Sequence, residues 1–234
     1  LRPLQRLLMR PLLRRAARLV AVARFEIEQY GQELGLPPER FVLIPNGIDL
    51  SFSEARPAQR NGAPLIASVG RLERYKGHHR VIAAFPTVLA EKPEAKLMIV
   101  GSGPYEDALK RQVEELGLTD AVEFTSVPGD QPAMMAGLLS RVSVVALLSG
   151  FETHPLAAIE AAAAGCRLLV ADSGGLKELV EDGIARAVPL EEDPAAVGAA
   201  LVEEIEQPPP GRLPSVISWD ECAQRLLRLY REVV

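Results

Sequence analysis

Cysteine is nearly absent: Cys166 and Cys222 are the only two in 234 residues, and they stand far apart. They offer neither a disulfide framework nor a thiolate metal site, so both are expected to be reduced, partly buried thiols. Histidine is scarce too. His78, His79 and His154 fall in no ligand spacing, and no protein-built metal site is expected. No apolar run approaches the ~20 residues that span a bilayer, and no segment has the form of a secretion signal, which predicts a cytosolic chain. Aromatics make up only 5%, whereas the 48% of hydrophobic residues is dominated by Ala, Leu and Val. That balance suits helices packed on a buried sheet, and 24% charged residues suit a soluble surface.

Acidic residues are missing from residues 1–24, which hold Arg2, Arg6, Arg10, Arg14, Arg15, Arg18 and Arg24. Subtracting these seven arginines from the formal charge of −5 leaves −12 for residues 25–234. A body that acidic is a poor partner for nucleic acid, which needs clustered Lys and Arg. The first 18 residues alternate arginines and leucines, giving a helix with a basic stripe beside an apolar one. Pro11 is expected to interrupt it and to set the first ten residues apart. Three readings fit this segment: a helix that docks on a neighbouring domain, one that adsorbs to an anionic membrane face, or a cleaved targeting segment. A chain that starts at Leu1 rather than Met also suggests a fragment or a processed chain.

A short strand is expected over residues 19–23, a helix over 25–34 ended by Gly35, and a strand over 41–44. Residues 51–63 are polar, with Pro57, Asn61 and Gly62, and read as a linker. From Leu65 the rhythm turns regular. Apolar runs at 66–69, 97–100, 122–124, 142–148, 168–171 and 185–188 alternate with helical stretches near 78–91, 104–117, 131–140, 155–165, 175–181 and 194–206. Such alternation predicts right-handed βαβ units and a Rossmann-like, doubly wound parallel sheet of α/β class. After Pro208 to Pro210, a last amphipathic helix is expected from Trp219, with Cys222, Leu226, Leu229 and Val233 on one face.

Ligands of an open parallel sheet bind beyond the carboxyl ends of its strands. Four loops there carry polar or glycine-rich residues. The first reads Gly70-Arg71-Leu72-Glu73-Arg74-Tyr75-Lys76-Gly77, where Arg71 and Lys76 could converge on one anionic group or stand as solvated surface cations. The second, Gly101-Ser102-Gly103-Pro104, is either an anion-binding turn or a tight connection, with Pro104 suited to a first helical position. The third holds Val127 and Pro128 and could border a flat base, as could any loop. The fourth runs from Ser149 through Glu152-Thr153-His154-Pro155-Leu156 to Glu160, with Thr153 or His154 expected to cap a helix. A carboxylate suits vicinal hydroxyls, because its oxygens accept two hydrogen bonds. Two exposed glutamates near a helix start would look the same in sequence.

Taken together these motifs resemble the retaining glycosyltransferases of family 4, which have the two-lobed GT-B fold. Glu152 and Glu160 match that family's E-x7-E signature. Gly70-Arg71-Leu72 with Lys76-Gly77 is similar to its phosphate loop, and Val100-Gly101-Ser102-Gly103-Pro104 to the next loop. Ser173-Gly174-Gly175-Leu176-Lys177-Glu178-Leu179-Val180 is similar to the segment after E-x7-E, and Ile44-Pro45-Asn46-Gly47-Ile48-Asp49 to the interlobe connection. The resemblance covers residues 16–234 and implies a UDP-, GDP- or ADP-sugar donor, with no metal and no other cofactor. It implies that Arg71 and Lys76 neutralise the departing diphosphate, Glu160 holds the ribose and Glu152 the transferred sugar. Gly70, Val127, Thr153, His154, Pro155 and Leu156 complete the expected donor site. The family often has Gly-Phe-Gly where this chain has Thr153-His154-Pro155, which bears on the sugar side of the site.

The implied organisation is a remnant of the acceptor lobe over 1–50, a linker over 51–63, the C-terminal GT-B lobe over 64–215 and a crossing helix over 216–234. Such a chain would bind donor and be inactive alone. Its expected partners are the donor, an acceptor glycan, lipid or small molecule, and either a missing lobe or a second copy on the unpaired helices, with peripheral membrane contact as a further option. Two rivals remain from the sequence: an epimerase or phosphorylase on the same fold, and a non-enzymatic interaction module.

Overall fold

The computed structural model describes residues 3–54, 62–208, 210 and 216–233, with side chains from Leu7 onward. The chain divides into two compact units: Leu1–Ile48 with Ile217–Val234, and Asp49–Val216.

The first unit begins with α1 (Pro3–Arg15), followed by β1 (Leu19–Ala21), α2 (Arg24–Leu34) and β2 (Phe41–Leu43). The break expected at Pro11 does not occur; α1 runs through it. A proline there deletes one backbone hydrogen bond of the helix without ending it. Glycine supplies the stop for α2: Gly35 takes the left-handed conformation, φ 60°, and its N–H meets the carbonyl of Gln32. Strands β1 and β2 pair in parallel, Leu19 opposite Phe41.

The second unit opens with α3 (Ser51–Glu54), one helical turn that buries Phe52 and packs on two later helices. This turn occupies the first four residues of the stretch read as a linker over 51–63. A single aromatic anchors the turn among polar neighbours, which composition does not reveal. Residues 55–61 of that stretch lie outside the described residues. Then follow β3 (Leu65–Val69), α4 (His78–Glu91), β4 (Lys96–Val100), α5 (Glu106–Glu115), β5 (Val122–Thr125), α6 (Pro132–Leu139), β6 (Val144–Leu147), α7 (Leu156–Ala163), β7 (Arg167–Ala171), α8 (Leu176–Glu181), β8 (Arg186–Val188) and α9 (Pro194–Glu206).

The sheet is wholly parallel, in the order β5-β4-β3-β6-β7-β8. Both faces are covered, as a parallel sheet requires. Ile66, Val144, Ala146 and Leu169 point into a cluster with Val81, Phe85, Leu109, Val197 and Leu201 of α4, α5 and α9. Their neighbours Ala67, Val145, Leu168 and Val170 are just as buried on the other face, by the two-residue alternation of a strand. Helices α6, α7 and α3 pack on one another, and α7 packs on β6 and β7. Strand order reverses between β3 and β6, the place along the carboxyl edge where open parallel sheets bind ligands.

The chain then returns to the first unit with α10 (Trp219–Val233). Cys222 and Leu229 bury against Ile44, with Val42, Ile217 and Leu226 around them. Val233, expected on the same face, is exposed, as are Trp219, Leu227 and Tyr230. Both cysteines are free thiols and both are buried. Among the described residues, no helix is long and apolar enough to cross a membrane.

Candidate functional site at the reversal of strand order

Strand β3 ends at Val69 and delivers Gly70, Arg71 and a 3-10 turn over Arg74–Lys76. The turn closes on Gly77 at φ 77°, a conformation that disfavours any Cβ. Position 77 has a second reason to be glycine: a Cβ there would collide with the backbone carbonyl of Leu148 at the end of β6. The two loops are also joined by hydrogen bonds. Gly150 N–H donates to the Tyr75 carbonyl at 2.7 Å, and Ser149 Oγ to the Lys76 carbonyl at 3.3 Å.

On its other side the β6 loop is clamped by the loop after β7. Gly175 N–H donates to the Glu152 carbonyl at 2.7 Å, and Ser173 Oγ to the Ser149 carbonyl at 2.7 Å. Gly174 and Gly175 lie so near the backbone of Glu152 and Thr153 that side chains would not fit. Glu152 is thus fixed through its backbone by one loop and through its side chain by another: Lys76 Nζ lies 2.7 Å from its Oε1. The two side chains are 18% and 13% exposed, which puts the pair in a partly desolvated environment.

Arg71 and Lys76 do not converge on a shared anion. Arg71 is 74% exposed and ion-pairs with Glu73, whereas Lys76 is held by Glu152. The loop after β4 serves these neighbours structurally. Ser102 O accepts from Leu72 N–H at 2.9 Å, Tyr105 N–H donates to the Leu72 carbonyl at 2.9 Å, and Gly101 and Gly103 leave room for the backbones of Gly70 and Leu72. Pro104 is not the first residue of α5. The helix starts two residues later, after Tyr105.

Helix α7 likewise starts later than expected, with Pro155 at its cap and no side-chain cap bond from Thr153 or His154. The His154 carbonyl accepts from Leu156 N–H at 2.9 Å. Pro155 is buried, while Thr153, His154 and Leu156 are half-buried. His154 Nδ1 is buried without a hydrogen-bond partner, and burial holds the imidazole pKa below its usual 6.5, against the opposing charge of Glu178. Val127 is half-buried in the loop after β5, at the same edge of the sheet.

Glu160 lies in α7 among the buried residues Ala158, Ala161 and Ala162. Burial, and then the negative charge of Asp49, raise its carboxyl from 4.5 to about 7. Asp49 is itself held below the usual carboxylate range by Ser51, whose N–H donates to Oδ1 at 2.9 Å. The influence of Asp49 on Glu160 was not legible in the sequence, since 111 positions separate them. Ser68 and His78 were also missed as polar groups of this region. A serine inside an otherwise apolar strand end was the available signal.

Among the described residues, no three His, Cys, Asp or Glu side chains gather as a metal-ligand set. A cavity of about 300 Å³ between α4, α5 and the loop before α9 is lined by Arg74, His79, Arg80, Gln112, Leu148 and Glu191. It contains none of the expected site residues.

A family model described as "Glycosyl transferases group 1" matches residues 51–212, and one described as "Glycosyltransferase Family 4" matches residues 1–52. A D-inositol 3-phosphate glycosyltransferase of Segniliparus rotundus is 32% identical over 197 residues, which are 78% of this chain and 43% of the relative. A glycogen synthase of Mycobacterium tuberculosis is 33% identical over 200 residues, 80% of this chain and 47% of the relative. The chain thus spans less than half the length of these curated relatives. A Rickettsia africae glycosyltransferase superposes with a TM-score of 0.76 at 14% identity, covering 100% of this chain and 68% of that one. The Anabaena protein HepE in complex with UDP and glucose gives 0.73 at 19% identity, covering 97% and 66%. These likenesses bear out the Rossmann-like lobe of a GT-B fold expected from the strand–helix rhythm.

Proposed function

Because the chain belongs to the glycosyl transferases group 1 family, we propose that residues Asp49–Val216 hold a nucleotide-diphospho-sugar donor for retaining transfer of its sugar. The observation that carries this reading is the junction of Lys76 and Glu152, 2.7 Å apart on the two loops that leave the reversal of strand order. That junction presents one cation, one carboxylate and fixed backbone, which are the groups a charged sugar donor needs.

In this reading Arg71 leaves Glu73 and joins Lys76 on the diphosphate. The two cations neutralise the charge that develops on the leaving phosphate as the glycosidic C–O bond breaks. Glu160, ionised, accepts hydrogen bonds from the ribose hydroxyls. Glu152, shared with Lys76, accepts from the sugar hydroxyls and orients the ring. The acceptor hydroxyl attacks the anomeric carbon from the leaving-group face, and its proton passes to the departing phosphate. Glu152 is not a nucleophile of glycosidase type. Val127, Thr153, His154, Pro155 and Leu156 border the donor beside Gly70. No metal or further cofactor takes part.

The chain binds donor and does not complete transfer alone, because the acceptor side of the site requires the rest of a two-lobed enzyme. The UDP of HepE makes UDP-sugars the first donors to try. Calorimetric titration of the folded chain with UDP-, GDP- and ADP-sugars tests the reading. A Kd in the micromolar range for one of them is expected, and no binding by any would sink it.

A further inference from the structure

Ser68 and His78 are the only polar side chains among the fully buried groups at the end of β3 and the start of α4, each 1% exposed. Ser68 Oγ lies 2.8 Å from His78 Nδ1, and His78 Nε2 lies 3.2 Å from the carbonyl oxygen of Arg71. A carbonyl can only accept, so Nε2 carries the proton and donates it to Arg71. Nδ1 is then bare and accepts from the Ser68 hydroxyl. Both ring nitrogens are satisfied in one tautomer, which suits an imidazole kept neutral in the core.

The same peptide unit is held on its other side. The Arg71 carbonyl also accepts from Glu73 N–H at 2.8 Å, and Leu72 N–H donates to the Ser102 carbonyl at 2.9 Å. C=O and N–H of one peptide point in opposite directions in one plane. Fixing both restrains the backbone from which the Arg71 side chain leaves. Without the imidazole, the Arg71 carbonyl keeps Glu73 N–H as its donor but loses the second one, and the peptide is held less firmly.

We propose that Ser68 and His78 are positioning residues for anion binding: through the Arg71 carbonyl they aim the Arg71 side chain at the diphosphate. The proposal rests on the donor-lobe reading above and adds to it a residue pair that touches no substrate. Burial and the nearby charges of Lys76 and His79 lower the His78 pKa to about 4, so the arrangement persists across the neutral range.

Three variants of the chain, His78→Phe, His78→Gln and Ser68→Ala, are titrated with the best-binding nucleoside diphosphate and with its bare nucleoside. Removing one buried hydrogen bond corresponds to roughly a tenfold change. His78→Phe is expected to weaken the diphosphate about tenfold and leave the nucleoside unchanged. His78→Gln, which keeps an N–H donor near the Nε2 position, is expected to recover most of that loss. Ser68→Ala should weaken the diphosphate by a smaller factor and serves if His78→Phe does not fold. In nitrogen NMR of the native chain, His78 should appear as the neutral Nε2–H tautomer at pH 6. Equal weakening of diphosphate and nucleoside, or no rescue by glutamine, or the opposite tautomer, overturns the proposal. Failure of the native chain to bind any nucleoside diphosphate overturns the donor-lobe reading itself.

Discussion

Lys76 Nζ and Glu152 Oε1 meet at 2.7 Å across 76 positions of sequence, each side chain less than a fifth exposed. At that degree of burial the pair lies between a solvated ion pair, worth little, and a core pair whose rupture costs several kcal/mol. We expect Lys76→Met and Glu152→Gln each to lower stability by about 1–3 kcal/mol, since each leaves a partly desolvated charge unpaired. The double variant should lose less than the sum by about 1 kcal/mol or more. Urea unfolding of the four proteins measures this, and strictly additive losses would show that the pair is not coupled.

The same contact shapes ligand binding. Glu152→Ala frees Lys76 for phosphate, so affinity for a nucleoside diphosphate should be unchanged or a few-fold higher. Affinity for the intact sugar donor should drop about tenfold through lost hydroxyl contacts. Glu160→Ala should weaken diphosphate and sugar donor alike. Equal losses of diphosphate affinity in both variants would contradict the division of roles.

Gly77 offers a test of the junction itself. Its φ of 77° and the Leu148 carbonyl occupying the Cβ position both resist a side chain. Left-handed backbone costs a non-glycine residue about 1–2 kcal/mol, and the clash adds to it. Gly77→Ala should therefore lose more than ~2 kcal/mol in thermal or urea unfolding, along with nucleotide binding. A variant of native stability that still binds would mean that the loop after β3 shifts freely against β6.

Much of this was legible because the apolar runs are bounded by glycine and polar loops. The expected helix over 78–91 is α4 residue for residue, even with Pro86 inside it. Parallel order followed from the strand–helix rhythm, and placed Lys76 and Glu152 at one edge of the sheet. Their pairing did not follow, because it depends on β3 lying beside β6, a neighbour relation no local pattern encodes. Local chemistry also misled. Thr153 and His154 have the shape of helix caps, yet α7 begins after Pro155, and Pro11 did not break α1. Arg71 and Lys76 looked like one anion site, yet each is paired with a different carboxylate.

Glu160 links stability and binding through one proton. Its carboxyl rises from 4.5 to about 7, mainly by burial and then by Asp49. Between those pH values the folded protein holds a proton that the unfolded chain has released. Stability therefore falls as pH climbs through that window, and levels off above it. Glu160→Gln removes the titration without changing shape, so its stability relative to the native protein should improve steadily from pH 5 to pH 8. Asp49→Asn should shift the native profile to lower pH. Binding runs the other way, because ribose hydroxyls need an ionised acceptor: native affinity for a nucleoside diphosphate should rise between pH 6 and 8. The ligand's own phosphate titration is common to both proteins and cancels in the ratio of native to Glu160→Gln affinity. Unfolding and calorimetry at four pH values between 5 and 8 decide it, and a ratio that does not change with pH would remove Glu160 from the ribose site.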